Sequence, residues 1–469
     1  MNLFIKYGLS FCIILFGFFH FLHFFLNISF LNFLLSCISW VIFLLGLVYF
    51  SIRSYKLPLF LFFLSITIIF FTDTPLWYGL QTGIVKLREL IGFLIVIPLI
   101  SSVLKEEPYI EDIISLFHKS INTSKKFYLA IIGLTQIIGS FLLFGAITMM
   151  YQFTDIILQK HNTEFWKKYK STAILRGFAL TTLWVISIPS FVFIVDDLKA
   201  SLWISMLQGI IINVIAVLLA IFFWGSKKKH ETTINLTIQK EMEQLTINAS
   251  NKHVQKKKTI EFITLFFSLF GLILLAYMIL EIKLIVLVPV IAIFWVISFY
   301  FYKRRYYKLF NVIINYFKID ILQQTSYQLN VMLMIGLLIF SLDQTNFSNM
   351  VIHTFEYIQI KVPFLNPLML LPFIVILLGF LGMGPLMVMV LISEIVKDLS
   401  LSYPPELVVL SITLGSSLSI MLSPFVIEVI ILSASNNLSL FKNGIKFNWK
   451  YALFLYLLVQ AYLQVIIFL

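Results

Sequence analysis

The sequence predicts an all-α integral membrane protein with about eleven transmembrane helices, two re-entrant hairpins and two inverted repeats. Three observations lead to this fold class: the composition, the placement of basic residues, and a segment that occurs twice. Of the 469 residues, 60% are hydrophobic, 12% are charged and 49 are phenylalanine. Because soluble domains carry about 25% charged residues, the composition excludes a soluble or disordered protein and indicates a chain that folds in a bilayer.

Long apolar windows define the predicted helices. A spanning helix needs about 20 mainly apolar residues. The windows that reach or approach this length are 7–26, 30–51, 57–71, 89–104, 127–152, 171–195, 201–225, 259–281, 284–302, 326–343, 367–394, 404–435 and 449–469. If every window crossed once, basic segments would lie on both sides, against the preference of Lys and Arg for the cytoplasmic side.

Window 127–152 has basic residues on both flanks. The segments 105–126 and 153–170 contain four lysines each, so both flanks favour the cytoplasm. This pattern predicts a hairpin that enters and leaves on the cytoplasmic side, with its turn at Ile138-Gly139-Ser140.

Window 367–394 has the opposite charge pattern. Lys361 and Lys397 are the only Lys or Arg residues on its flanks. Its centre, Gly379–Pro385, is rich in glycine and proline. Such a run does not continue as one straight helix, which predicts a hairpin from the outer face. The alternative for both windows is a long, tilted single helix.

The resulting topology places the N-terminus in the cytoplasm and the C-terminus outside the cell, in a multi-pass protein of the cytoplasmic membrane. All but six of the 34 Lys and Arg residues then lie on or near the cytoplasmic side; the exceptions are Lys86, Arg88, Lys199, Lys283, Lys361 and Lys397. The net charge of +12 is therefore a topology signal, and no nucleic-acid partner is expected.

A similar segment follows each predicted hairpin. Residues 180–201 and 414–435 share eight identities in 22 positions, and both contain Ser and Pro in mid-span. On the predicted topology the corresponding broken helices run in opposite directions. The predicted organisation is an extra transmembrane helix (1–28), a first inverted repeat (29–225) with broken helix 171–195, a cytoplasmic basic linker (226–258), and a second inverted repeat (259–469) with broken helix 404–435.

This layout resembles the ion transporter superfamily, and within it the divalent anion/sodium symporters. Those proteins have an added first helix, two inverted halves and hairpins that enter from opposite faces, so the resemblance covers nearly the whole chain. The symporters carry Ser-Asn-Thr at each hairpin tip, whereas this sequence reads Ile138-Gly139-Ser140-Phe141 and Gly379-Phe380-Leu381-Gly382. The resemblance implies alternating access by an elevator-like movement, in a homodimer.

The candidate binding residues surround the hairpin tips and the helix interruptions, where exposed backbone groups can ligate anions and small cations. They are Gly139, Ser140, Thr182, Ser187, Ser190, Gly379, Gly382, Gly384, Ser416, Ser417 and Ser423. Close helix packing in lipid is the alternative role for each small residue.

Glu428 is the strongest single candidate for a functional residue. A carboxylate inside an apolar span is costly unless it is paired, hydrated or protonated, so Glu428 is predicted to carry a coupling proton or to bind Na⁺. The alternative is a glutamate near the inner interface that reaches water or a lysine. Arg176, near the inner end of its span, is interpreted as snorkelling to the interface, with substrate contact as the alternative.

These features predict a secondary active transporter for a small anionic solute, coupled to Na⁺ or H⁺, with membrane lipids as its surroundings. The alternative is a membrane-embedded polysaccharide polymerase or lipid-linked glycosyltransferase, although the longest outer segment, 344–366, lacks arginine. We find no phosphate-binding loop and no Ser/His/Asp order, so no enzymatic activity and no cofactor beyond the coupling ion are expected. His20 and His23 lack further metal ligands and are assigned to packing.

Overall fold

The computed structural model describes residues 3–51, 55–117, 121, 123–158, 163–224, 231–247, 252–362, 365–397 and 403–468. Regular secondary structure in these ranges is entirely helical, which confirms the predicted all-α class. Within them, ten segments are long and apolar enough to cross a membrane: Phe4–Leu26, Ser29–Tyr49, Leu76–Leu104, Ser124–Leu142, Leu202–Trp224, Lys252–Leu280, Leu284–Tyr302, Ser326–Asp343, Pro405–Asn436 and Lys442–Ile467. The chain is therefore a multi-pass membrane protein.

The α-helices are numbered in chain order. Those before residue 225 are α1 (Leu3–Leu26), α2 (Ser29–Tyr49), α3 (Lys56–Phe70), α4 (Leu76–Gly83), α5 (Arg88–Val96), α6 (Ile100–Leu104), α7 (Tyr109–Phe117), α8 (Ser124–Leu142), α9 (Gly145–Ile157), α10 (Glu164–Thr181), α11 (Pro189–Asp197) and α12 (Leu202–Trp224). Those that follow are α13 (Glu231–Ile247), α14 (Lys252–Leu280), α15 (Leu284–Tyr302), α16 (Tyr306–Asn315), α17 (Ile321–Gln324), α18 (Ser326–Asp343), α19 (Phe347–Lys361), α20 (Pro367–Phe380), α21 (Pro385–Lys397), α22 (Pro405–Leu422), α23 (Ile427–Asn436) and α24 (Phe447–Phe468).

Contacts between the helices divide the chain into two compact units. Unit 1 contains Met1–Val103, Leu275–Phe364 and Ser393–Ser400, whereas unit 2 contains Leu104–Leu274, Leu365–Ile392 and Leu401–Leu469. Each unit therefore combines segments from both predicted repeats. All of the candidate binding residues belong to unit 2.

Unit 1 is built around α18, which packs against α2, α3 and α4, while α5 packs against α1 and α15. Buried Asn330 on α18 receives a hydrogen bond from the Tyr55 hydroxyl at 2.7 Å. A β-carbon at Gly46 would lie only 2.7 Å from the same amide oxygen, so glycine allows α2 to approach α18 closely.

Several basic residues that the predicted topology places away from the cytoplasm are paired with carboxylates. Lys86 binds Asp343, and Lys283 binds Glu89 at 3.2 Å. Lys397 binds Glu394 at 3.2 Å. Three of the six basic residues that the predicted topology places on the outer side therefore lie in ion pairs.

Unit 2 contains both predicted broken helices. Within window 171–195, α10 ends at Thr181 and α11 begins at Pro189. Within window 404–435, α22 ends at Leu422 and α23 begins at Ile427. Proline lacks the N–H that a continuing helix requires, and Pro189 occupies the first turn of α11, where that N–H has no partner anyway. We call residues 182–188 the first interruption and residues 423–426 the second interruption.

The windows predicted as hairpins also contain interruptions. Helix α8 ends at Leu142, and Leu143 takes a left-handed backbone conformation (φ 49°) before α9 begins. Ile138, Gly139 and Ser140 lie inside α8, so the prediction of a turn at these residues is wrong. In the second window α20 ends at Phe380 and α21 begins at Pro385, and Gly382 has φ 86°, inside the predicted glycine-rich run.

The two ends of the α8–α9 pair lie beside neighbouring residues of α10. The Tyr169 hydroxyl donates to the carbonyl of Ser124, the first residue of α8, at 2.7 Å. The Lys170 ammonium binds the carboxylate of Asp155 near the end of α9. Helix α9 therefore returns to the level at which α8 begins.

Candidate functional site

The two broken helices of unit 2 run antiparallel to each other. Near one end, the Asn436 amide on α23 donates to the Ser171 hydroxyl on α10 at 2.7 Å. Near the other end, the Ser201 N–H donates to the Glu406 carboxylate on α22 at 2.8 Å. Helix α10 packs against α22 and α23, and α11 packs against α22, so the two interruptions belong to neighbouring, oppositely directed helices.

Both interruptions are anchored by a serine in the same way. The Ser187 hydroxyl donates to the carbonyl of Ser140, near the end of α8. The Ser423 hydroxyl donates to the carbonyl of Gly379, near the end of α20, at 2.9 Å. The last carbonyls of a helix lack intrahelical partners. In both places a serine from an interruption donates a hydrogen bond to a carbonyl near the end of a neighbouring helix.

A glycine lies at the helix crossing that precedes each interruption, and the two glycines make similar contacts. Gly177 on α10 packs against α8, and a β-carbon there would lie 2.9 Å from the Ile132 carbonyl oxygen. Gly415 on α22 packs against α20, and a β-carbon there would lie 2.8 Å from Pro372 Cα. Both crossings therefore depend on direct backbone approach.

A second glycine pair touches the interruptions themselves. A β-carbon at Gly209 on α12 would lie 2.0 Å from the Leu183 carbonyl oxygen. A β-carbon at Gly444, just before α24, would lie 2.9 Å from the Leu422 carbonyl oxygen. In both cases, a glycine in the segment that follows the broken helix lies directly against the backbone at or next to the interruption.

The contacts match residues in a different register from the sequence alignment. The alignment pairs Ser187 with Met421, whereas the anchoring hydrogen bonds pair Ser187 with Ser423. The first interruption is longer than the second, so an alignment without gaps cannot hold both sides of the break in register.

Hydroxyl groups at the first interruption are occupied locally. The Thr181 and Thr182 hydroxyls donate to the carbonyls of Phe178 and Ala179 at 2.6 and 2.8 Å. Together with the anchor at Ser187, these bonds occupy three of the hydroxyls at this break. Thr182 and Ser187 therefore hold the backbone in position.

The second interruption has a different polar environment. Ser416, Ser417 and Ser419 on α22 are buried, and their hydroxyl oxygens have no hydrogen-bond partner among the described residues. Ser423 is fully engaged, because its oxygen also accepts the Phe425 N–H at 3.2 Å. Unpaired buried hydroxyls are costly, and three of them lie within one turn of α22.

Glu428 is the second residue of α23 and lies just beyond these serines. Its side chain is 1% exposed, and its Oε2 atom has no hydrogen-bond partner in the described chain. The N-terminus of a helix favours a negative charge, yet an unpaired buried carboxylate oxygen is costly. Ser190 occupies the same second position in α11.

The glycines between α20 and α21 join this region through the carbonyl of Gly379. The Gly379 carbonyl accepts both the Ser423 hydroxyl and the Gly382 N–H, the latter at 3.0 Å. Gly384 lies in the same connection, directly before α21. Gly139, on α8, lies beside Phe178 of α10, with a β-carbon position 3.4 Å from its ring.

Three polar groups near the first interruption were not among the sequence candidates. Trp184 Nε1, Ser205 Oγ and Gln208 Oε1 are buried without a hydrogen-bond partner among the described residues. Ser205 and Gln208 precede Gly209, whose β-carbon would also lie 2.9 Å from Trp184 Cβ. A glutamine inside the apolar window 201–225 was a usable signal, whereas the tryptophan gave none.

Arg176 is a buried residue of unit 2, so its interpretation as a snorkelling side chain is wrong. Its guanidinium donates to Asn448 Oδ1 at 3.0 Å, to the Tyr128 hydroxyl at 3.2 Å and to the Phe447 carbonyl at 3.3 Å. It also stacks on Tyr451, with Cζ 4.3 Å from the ring centroid. These contacts hold the arginine inside the helix bundle.

Within the described ranges, no group of three or more His, Cys, Asp and Glu side chains could hold a metal ion.

No protein-family model matches the chain, and no curated protein matches its sequence. The function is therefore inferred from the geometry of the two interruptions.

Proposed function

We propose that the protein is a secondary active transporter that moves a small anionic solute across the cytoplasmic membrane, coupled to Na⁺ or H⁺. One observation carries this proposal: two antiparallel, interrupted helices pack together in unit 2, with unpaired buried polar atoms beside the breaks. Non-helical backbone inside a membrane is tolerated where it is buried in protein or lines a hydrated cavity. Broken helices in this arrangement are typical of transporter binding sites.

The matched contacts support two inverted repeats, 29–225 and 259–469. Ser187 and Ser423 make equivalent anchoring hydrogen bonds. Gly177 and Gly415 make equivalent helix crossings. Equivalent contacts in oppositely directed helices are expected if the two halves share one fold, and unrelated helices would have no reason to repeat them.

The paths of the interrupted windows support re-entrant hairpins. Ser124 and Asp155 lie beside adjacent residues of α10, as expected if 127–152 enters and leaves on one side. The left-handed backbone at Gly382 supports a turn in 367–394. On this proposal the tips of both hairpins approach the interruptions from opposite faces.

The polar groups near the breaks suit an anionic solute with a coupling ion. Helices α11 and α23 begin at the interruptions, and their first N–H groups favour negative charge. The Trp184 indole can only donate a hydrogen bond, and the serine hydroxyls can donate as well. Glu428 is the proposed coupling residue, because a buried carboxyl can exchange a proton or ligate Na⁺.

The division of the chain supports an elevator-like mechanism. Such a mechanism requires one compact unit to carry the complete binding site. Unit 2 holds every candidate residue, from Gly139 to Glu428.

Uptake into proteoliposomes tests the proposal. The full-length protein is reconstituted and screened with labelled organic and inorganic anions, under an inward Na⁺ gradient, an inward H⁺ gradient or neither. We expect gradient-driven uptake of one solute class. We expect Glu428→Gln to abolish or uncouple this uptake without lowering the melting temperature, because a neutral amide removes a buried charge.

Glu406→Gln is the matched control, since Glu406 already accepts a hydrogen bond from the backbone of Ser201. It should retain coupling. Absence of gradient-driven uptake of any anion by folded protein would contradict the transporter proposal. Normal uptake by Glu428→Gln would contradict only the coupling role of that residue.

A further inference from the structure

A basic cavity of about 350 Å³ lies in unit 2, apart from the interruptions. Four cationic side chains line it, Lys168, Arg176, Lys446 and Lys450, and none of its described lining residues is acidic. Its volume is in the range of small-molecule sites. A concentration of positive charge without a lining carboxylate makes the cavity a strong attractor for an anion.

The innermost cation has no counter-charge. Arg176 is 5% exposed, and its three hydrogen-bond partners, the Asn448 amide, the Tyr128 hydroxyl and the Phe447 carbonyl, are all neutral. Within the described ranges no carboxylate forms an ion pair with it. An uncompensated buried charge is costly, and a bound anion would offset that cost.

Aromatic rings position the other cations. The Lys168 ammonium lies 5.3 Å from the Phe447 ring centroid, and the Lys450 ammonium lies 5.4 Å from the Trp449 ring centroid. These rings share one short segment with Tyr451, on which Arg176 stacks. Cation–π contacts of this kind orient a positive group.

The acidic residue next to this region is engaged elsewhere. Glu164 is bound by Lys442 at 3.1 Å, and a hydrogen bond from Lys442, aided by the charges of Lys446 and Lys168, lowers the pKa of its carboxyl. Glu164 does not line the cavity. A single carboxylate that lies outside the cavity and is bound to Lys442 does not balance the four lining cations.

Exposed apolar side chains continue from the cavity along α12 and α24. Phe222 precedes two lining residues of α12, and Leu453 and Phe454 follow the lining residues of α24; all three are exposed. The two helices pack against each other. A ligand that combines an anionic head with apolar chains matches both the cavity and this surface.

We propose that the cavity binds the phosphate group of an anionic phospholipid. Arg176 would supply the fixed inner charge, and Lys446 and Lys450, which are exposed, would close over the phosphate from the mouth. Basic pockets between transmembrane helices bind anionic lipid head groups by this chemistry. A bound lipid would link α10 and α12 of the first predicted repeat to α24 of the second.

Lipid binding to the purified full-length protein tests this site. Native mass spectrometry counts retained lipid, and melting temperature is recorded in parallel, with phosphatidylglycerol, with phosphatidylcholine of the same chains, or with inorganic phosphate alone. We expect phosphatidylglycerol to bind more tightly than phosphatidylcholine and to raise the melting temperature. We expect Lys446→Gln/Lys450→Gln to weaken its binding about 30-fold, on the scale of two surface cations.

Lys442→Gln is the matched control, because Lys442 belongs to the same segment but binds Glu164 instead of lining the cavity. It should bind phosphatidylglycerol normally. Equal binding of both lipids, or unchanged binding by the double variant, would overturn the site. If inorganic phosphate alone stabilises the protein and displaces phosphatidylglycerol, the phosphate site is supported and the lipid is overturned as its occupant.

Discussion

The first and second interruptions are anchored by the same kind of hydrogen bond but differ in their polar surroundings. At the first, the hydroxyls of Thr181 and Thr182 are consumed by carbonyls of their own helix. At the second, the hydroxyls of Ser416 and Ser417 are buried without partners, and Glu428 follows within the next helix. The hydroxyls of the first break therefore hold its backbone, whereas those of the second are, on our proposal, open to a ligand.

The two breaks also differ in how tightly the next segment presses on them. A β-carbon at Gly209 would lie 2.0 Å from a backbone oxygen of the first interruption, whereas one at Gly444 would lie 2.9 Å from the carbonyl oxygen that precedes the second. Tighter packing accompanies the break at which the hydroxyls of Thr181, Thr182 and Ser187 are occupied. This agrees with a first break that is held more rigidly than the second.

Alanine substitutions at these glycines should show the largest difference between the breaks. Gly209→Ala would push a methyl group into the Leu183 carbonyl, which cannot rotate away, and should lower stability by about 3 kcal/mol. Gly444→Ala should lower it by about 1 kcal/mol. Melting temperatures and denaturant titrations in detergent measure both. Equal losses would show that the first break is no more tightly packed than the second.

Glycines in the two windows predicted as hairpins should give the next largest difference in stability. A β-carbon at Gly379 would lie 1.9 Å from Ser419 Oγ, whereas one at Gly139 would lie 3.4 Å from its nearest neighbours. Gly379→Ala should cost about 2 kcal/mol. Gly139→Ala should be neutral or stabilise α8 by up to about 1 kcal/mol, since alanine favours helix.

A double variant tests the cause of the Gly379 effect. Adding Ser419→Ala to Gly379→Ala removes the clashing oxygen and should restore at least half of the lost stability. A double variant as unstable as the single one would mean that the contact with Ser419 is not responsible.

The sequence was sufficient to predict the helix class and the windows that contain the breaks. Prolines and glycines such as Pro189 and Gly382 act through their own backbone, so their effect can be predicted locally. The turn of the first hairpin window was misplaced because Gly139 serves in helix packing and leucine, at position 143, takes the left-handed conformation. No local propensity predicts that choice.

Properties that depend on distant residues were not predictable in the same way. In the sequence, Arg176 lies near the end of an apolar span, where interfacial arginines are common. Its partners Asn448 and Tyr451, however, lie far along the chain. Likewise, the sequence places Thr182 and Ser416 in equivalent clusters. Only their hydrogen bonds separate an occupied hydroxyl from an unpaired one.

The smallest expected effect concerns single hydroxyls at the two breaks. Ser187→Ala removes the anchor to Ser140 and should lower stability by about 1 kcal/mol. Ser416→Ala removes an unpaired buried hydroxyl, so stability should stay within about 0.5 kcal/mol or rise, while solute uptake falls about tenfold if the hydroxyl binds the solute. Melting temperature and proteoliposome uptake are measured on the same preparations. If Ser416→Ala instead destabilises the protein and leaves uptake unchanged, its hydroxyl serves packing, and the contrast between a supporting first break and a ligand-binding second break fails at this residue.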